Sequence, residues 1–521
     1  MTARRRHSLI SHRRGFLALT GALFLVFLTG TAWAATAFRI AVGIDPDTLD
    51  PAQMTTTTVA NMVDYVVETL VTIDREGQVQ PLLAESWAMS SDGLQYIFKL
   101  RKGLTFHDGT AFDAAAVKWN LDRLLDPNVR VPVRTPYTPI ERSETLDEST
   151  LRVTLKHPSA PFLGSLSWTT AGIVSPAAAD KFGNDYKNYQ HPVGTGPYVF
   201  KERRKGESIA VTLNQAYWGQ KPFYDTVVFR IVPEAATRES LLLAGQVDLI
   251  ILPPVPDLPA LERNPAVKVV MAPSDRTIFI AINTVRPPLN DARVRQALNY
   301  AVDKTAIMKS VLFGAADVMD APIAPSLFGY CPVGAYEYNP SKGRELLQQA
   351  GVTEGTTLQL LTPTGRYVQD FQAAQAIAGF LREVGLHIDV QTMDWPSYIA
   401  TINTPADKNT TQLHLLGWAP AYLDAAQQML QFLSTYAPPN GLATSFYKDP
   451  EVDQWIQAAE RETNPDKRQA LYCQISRQVW KDAPWIFLWV QRFPIVHSAK
   501  VVNVSSLPNE KFYALYARPA Q

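Results

Sequence analysis

Hydrophobic and polar positions alternate in two distinct ways along this chain. Gln95 to Arg101 sets Tyr96, Phe98 and Leu100 against Ile97, Lys99 and Arg101, the period of a half-buried strand. Leu151, Val153 and Leu155 repeat it, and Phe38–Val42, Val227–Ile231 and Arg276–Ile282 read as further strands. Helical spacing predicts helices over 61–71, after an N-cap at Asp113 through Leu125, and over 236–243. Beyond about residue 284 the texture becomes regular. Helices are expected over 291–303, 305–313 and 341–350, the last closed by Gly351. Then come strand 357–362, helix 370–384, strand 387–393, helix 395–402 and strand 412–418. This strand–helix–strand rhythm implies a parallel sheet with helices on its faces. Helices near 450–463 and 465–482 and an apolar strand over 485–490 complete the pattern.

Length and charge narrow the picture. A chain of 521 residues exceeds one hydrophobic core, so two lobes are expected. Basic and acidic residues are equal at 49 each, but Arg4, Arg5, Arg6, Arg13 and Arg14 all precede Ala34, leaving 44 basic against 49 acidic residues beyond it. That balance carries no basic footprint for nucleic acid. The same N-terminal stretch runs from arginines through apolar Phe16–Leu28 to Thr-Ala-Trp-Ala at 31–34, the layout of a cleavable secretory leader, 1–34. His12-Arg13-Arg14-Gly15-Phe16-Leu17 resembles a twin-arginine signal, and both the Tat and the Sec route stay open. With no Cys near the cleavage site, no lipid anchor is expected there, and no later segment approaches the roughly 20 apolar residues of a membrane span. A periplasmic location follows. Cys331 and Cys473 are the two cysteines; a disulfide is permitted in an oxidising compartment, and two separate buried thiols are the simpler expectation.

Catalytic patterns are missing. The sequence holds no H-E-x-x-H, C-x-x-C, G-x-S-x-G or phosphate-binding loop. Gly194-Thr195-Gly196-Pro197 opens like a dinucleotide fingerprint, but Pro197 removes a needed N–H. His107-Asp108 sits in an ordinary Asp-Gly turn. The eight histidines show no metal-ligand spacing. The expectation is a non-enzyme with no cofactor and no metal.

Several stretches, in order, carry a family resemblance: Leu49-Asp50-Pro51; Leu83-Ala84-Glu85-Ser86-Trp87 through Phe106-His107-Asp108-Gly109-Thr110; Gly194-Thr195-Gly196-Pro197-Tyr198; Val294-Arg295-Gln296-Ala297-Leu298; Gly365-Arg366-Tyr367; and Gly417-Trp418. Together they resemble the extracellular solute-binding proteins that serve dipeptide, oligopeptide and nickel importers. The resemblance implies an α/β fold of two lobes with mixed sheets, a hinge between them and the ligand in the cleft. Lobe I is expected over 35–283 with 489–521, and lobe II over 284–488. A monomer is expected, with a small-molecule or short-peptide ligand and an ABC permease in the inner membrane as partner. Trp87, Tyr96, Phe98 and Trp218 read as packing residues, Arg295 as a tie to neighbouring backbone, and Gly194 and Gly196 as serving tight turns.

Ligands of open α/β sheets bind outside the carboxyl ends of strands. That rule selects Arg366 and Tyr367 after one strand, and Trp418, Tyr422 and Asp424 at the end of another, with Gln53, Met54 and Thr55 as the opposite wall. Two readings stand for Arg366, a fork onto a ligand carboxylate and a fixed structural arginine. Two stand for Asp424, a ligand contact and a helix cap. In peptide-binding members of the family an Asp three residues after the Gly-Trp pair holds the ligand's amino group. Here that position is Ala421, which points to other cargo, such as opines, sugars or metal chelates, beside peptides.

Overall fold

A computed structural model describes residues 36–46, 48–74, 77–182 and 190–520; the leader expected over 1–34 lies outside them. Two mixed sheets organise the molecule. The first has seven strands, ordered in space Val267–Ala272, Phe493–Ser498, Leu249–Ile251, Ala37–Val42, Thr226–Ile231, Ser208–Leu213 and Tyr198–Arg204. Phe38, Ile40, Phe229 and Ile495, all fully buried, form its core. The second has six, ordered Ala316–Val318, Trp485–Gln491, Thr277–Ile282, Leu413–Trp418, Thr357–Pro363 and His387–Met393. Ile280, Leu360, Leu415 and Ala374 bury one face of it, and Trp485 stacks on Phe279 on the other, ring centroids 3.5 Å apart. A four-stranded antiparallel sheet, Ala84–Met89, Gln95–Leu100, Thr150–Leu155 and Ile140–Asp147, is inserted into the first lobe and packs on helix Ala114–Leu125.

Local chemistry explains most element ends. Asp113 accepts from Ala116 N at 2.8 Å and starts its helix. Asp394 and Asp449 cap Trp395–Ile402 and Pro450–Arg461, each with proline in the first turn. Gly385, at φ 94°, ends Asp370–Glu383. Arg295 ties down the carbonyls of Asp482, Leu289 and Asn290 at 2.8–3.1 Å. Gly194 answers a close approach rather than a positive φ: a Cβ there would stand 2.3 Å from the Val66 carbonyl oxygen.

Four expectations are corrected. The helix expected over 61–71 is Thr57–Val63, because Thr56 caps it earlier, accepting from Val59 N; Val71–Ile73 is a strand. The second sheet is parallel only among Thr357–Pro363, His387–Met393 and Leu413–Trp418, and the other strands join antiparallel. Thr277–Ile282 belongs to that second sheet, so the chain crosses between lobes at 273–276, ahead of the expected 283/284 boundary, and returns after Gln491 rather than at 488/489. Cys331 and Cys473 are disulfide-bonded rather than separate, Cα atoms 5.3 Å apart, because the segment around Tyr330 lies along helix Pro465–Asp482, with Gln469 Nε2 donating to Tyr330 O. A bridge across 142 residues removes about 4–5 kcal/mol of unfolded-chain entropy in the loop-closure account.

Near the crossings, the C-terminal segment ties both lobes together. Glu510 pairs with Arg276, Nε to Oε1 at 2.8 Å, and accepts from Ser274 Oγ at 3.1 Å. Asp275 N donates to Pro508 O. Asn61 Nδ2 donates to Glu510 O, and Asn509 Nδ2 donates to Ala421 O, both at 2.9 Å.

Candidate ligand cavity between the lobes

The carboxyl ends of Thr357–Pro363 and Leu413–Trp418 open onto a cavity of about 980 Å³, counting the solvent at its mouth. Arg366, Tyr367, Trp395 and Trp418 line one side; Met54, Thr55 and Trp168 line the other.

Arg366 is held by its own loop. Asp370 accepts from the backbone N–H of Gly365, Arg366 and Tyr367 at 2.8–3.1 Å, and Gly365 takes φ 77°. The turn aims the guanidinium between two rings, 4.9 Å from the centre of Tyr367 and 5.2 Å from that of Trp395. Its Nε is buried without a hydrogen-bond partner among the described residues. Burial, and next the like charge of Arg276, lower its pKa from the ordinary arginine value. Arg276 also lines the cavity, but Glu510 already neutralises it. Tyr367 OH donates to Gly417 O at 3.2 Å, and its ring rests against Gly417, where a Cβ would come within 2.7 Å of that ring. Glycine is what lets the tyrosine lie flat here. Trp418 is half-buried, its Nε1 buried and unpartnered among the described residues.

The structure separates the other residues expected at the site. Met54 and Thr55 line the cavity, whereas Gln53 sits half-buried in the turn Pro51–Gln53 outside it. Tyr422 is buried, facing Gly164 and a neighbouring inter-lobe cleft that contains Glu460. Asp424 caps Ala425–Met429, accepting from Ala426 N at 2.8 Å, and takes a two-pronged bond from Arg468, both 2.7 Å. It does not line the cavity; Ala421 does. Asp424→Asn keeps the cap and removes the charge facing Arg468. It is expected to cost about 2 kcal/mol of stability in urea unfolding with cargo affinity unchanged; a selective loss of affinity would return Asp424 to the ligand. Sequence reasoning passed over Arg130, Arg276, Trp395, Gln427 and Thr444, which also line the cavity. Trp395 had a signal, the first turn of a helix that follows a strand end. The others lie where no local pattern distinguishes them.

Known proteins match this architecture. The family model "Bacterial extracellular solute-binding proteins, family 5 Middle" covers residues 78–440. The glutathione-binding protein GsiB of Pectobacterium atrosepticum is 32% identical over 97% of this chain and 98% of its own. Among solved structures, the periplasmic binding protein DppA from Helicobacter pylori in complex with the peptide STSA superposes with TM-score 0.84 at 28% identity, covering 92% of this chain and 98% of that one. MoaA from A. tumefacien R10 in complex with mannopinic acid gives TM-score 0.85 at 25% identity, covering 94% and 100%. With a two-lobed fold, a cavity between the lobes and a family match spanning more than half its length, the chain belongs to the bacterial extracellular solute-binding proteins, family 5.

Proposed function

We propose that this protein is the cargo-capturing component of an ABC importer and takes a small peptide or peptide-like solute through a carboxylate. The observation that carries the reading is Arg366, a guanidinium turned into an inter-lobe cavity with its Nε buried and without a hydrogen-bond partner among the described residues. An unpaired cation out of water is costly, and a ligand carboxylate supplies the fork-shaped acceptor a guanidinium matches. Ligand contacts to both lobes favour the closed state, and the closed form docks on an inner-membrane permease. The protein captures cargo without transforming it, acts as a monomer, and reaches the periplasm behind its cleaved leader.

A second reading has its own support. Ala421 lines the cavity at the position where peptide-binding members keep an Asp for the amino group. Carboxylates other than ordinary peptides, such as the glutathione named for GsiB and the mannopinic acid bound by MoaA, then compete with simple peptides. The test is melting temperature of ligand-stripped protein against glutathione, mannopinic acid, di- and tripeptides, neutral sugars and nickel chelates. A ligand at a hundred times its dissociation constant adds about 2.7 kcal/mol. Shifts confined to carboxylate-bearing solutes are expected; a shift with neutral sugars alone would overturn the reading.

A further inference from the structure

Resting on that reading, we infer that the cargo carries two anionic groups, one for each lobe, and that Arg130 is the residue of lobe I that selects the second. The lining of the cavity contains three arginines, Arg130, Arg276 and Arg366, and among the described residues no aspartate or glutamate. Glu510 cancels Arg276. Two positive charges therefore remain, and they belong to opposite sides. Arg366 follows a strand of the second sheet, and Arg130 lies in the lobe I insertion, between helix Ala114–Leu125 and strand Ile140–Asp147.

Arg130 stands on a fixed base. Val129 and Val131 on either side of it are buried in the core of the four-stranded sheet. Arg134 Nη2 donates to Asp126 O at 2.7 Å and also to Val129 O, and Val129 N donates to Asp126 O at 3.1 Å. Its two valine neighbours anchor the backbone, while the Arg130 side chain is exposed at the cavity. Pro132 and Val133 continue the wall. The backbone that carries this cation is thus fixed on the lobe that closes over the ligand.

Charge then decides what can fill the closed site. An empty or singly anionic site leaves at least one of these cations without a counter-charge as the cleft loses its water, which opposes closure. A solute with an anion at each end neutralises both and ties the lobes together, so its differential affinity for the closed state drives the motion. An ammonium, by contrast, meets no carboxylate in the lining. Specificity here therefore rests on the number of anionic groups rather than on an amino group.

The test uses calorimetric affinities at low ionic strength for the full mature chain and its Arg130→Gln variant, with two diacids, glutathione and mannopinic acid, and the monoester of each. The wild type is expected to bind at least one diacid about tenfold or more tighter than its monoester. Arg130→Gln is expected to bring the diacid down to the monoester's affinity and leave the monoester unchanged. Equal wild-type affinity for diacid and monoester, or a variant that weakens both alike or neither, overturns the inference while the carboxylate-capturing reading stands. Binding of neither diacid nor monoester, with neutral solutes bound instead, overturns both.

Discussion

Arg366→Met is expected to weaken cargo binding about a hundredfold or more, while the melting temperature of the ligand-free protein holds or rises. The two effects come from one feature. The guanidinium lies between the Tyr367 and Trp395 rings, and methionine keeps that apolar filling. What it removes is a charge whose Nε is buried with no acceptor among the described residues and which the free protein offsets only through the two rings and the more distant Glu510 charge. Only the ligand-bound state gains from it. Calorimetric affinity and thermal unfolding of the same variant separate the roles. A variant that binds normally would displace the anion contact from Arg366, and one that melts much lower would make Arg366 a structural tie.

Glu510→Gln is expected to destabilise the fold by roughly 3–5 kcal/mol, because it leaves a buried arginine without its counter-charge. Burial works to raise the Glu510 pKa, but Arg276, with Arg366 and Ser274, outweighs it and holds the carboxyl below its ordinary value. The sign of the pH dependence follows: this stabilisation is complete above the unfolded carboxyl value of ~4.3 and is lost as pH falls through the lower folded value. Asp275 complicates the size of the loss. Burial first, then the Glu510 charge, raise its pKa well above the ordinary value, which favours its neutral form beside Arg276. Once Glu510 is neutral, Asp275 can give up its proton and partly replace it. The double variant D275N/E510Q is therefore expected to fall further than E510Q in urea unfolding. Equal loss in both would show that Asp275 does not answer for Arg276.

Much of this was legible in the sequence wherever the cause is local. Caps at Asp113 and Asp394 and the stop at Gly385 sit within a few residues of the elements they bound, and those elements came out where the pattern placed them. Pairing between distant strands has no local signature, so the antiparallel half of the second sheet was not visible. Cys331 and Cys473 meet only because a long irregular segment lies along a helix 142 residues on. Asp424 shows the same limit: its neighbours in sequence describe a cap, and Arg468, which engages its charge, comes 44 residues later. Arg366 could be chosen by its place after a strand end. That its Nε is unpaired is a property of everything packed around it, and Arg130 acquires its meaning only opposite Arg366.

Both sheets keep an interior place for strands made almost last. Trp485–Gln491 lies between Ala316–Val318 and Thr277–Ile282, and Phe493–Ser498 lies between Val267–Ala272 and Leu249–Ile251. While the ribosome is still extending the chain, each lobe is a sheet with a missing slat until its own strand, Trp485–Gln491 or Phe493–Ser498, has emerged. Completion of the two lobes is thereby deferred to nearly the same point of the chain, since only one residue separates the two strands.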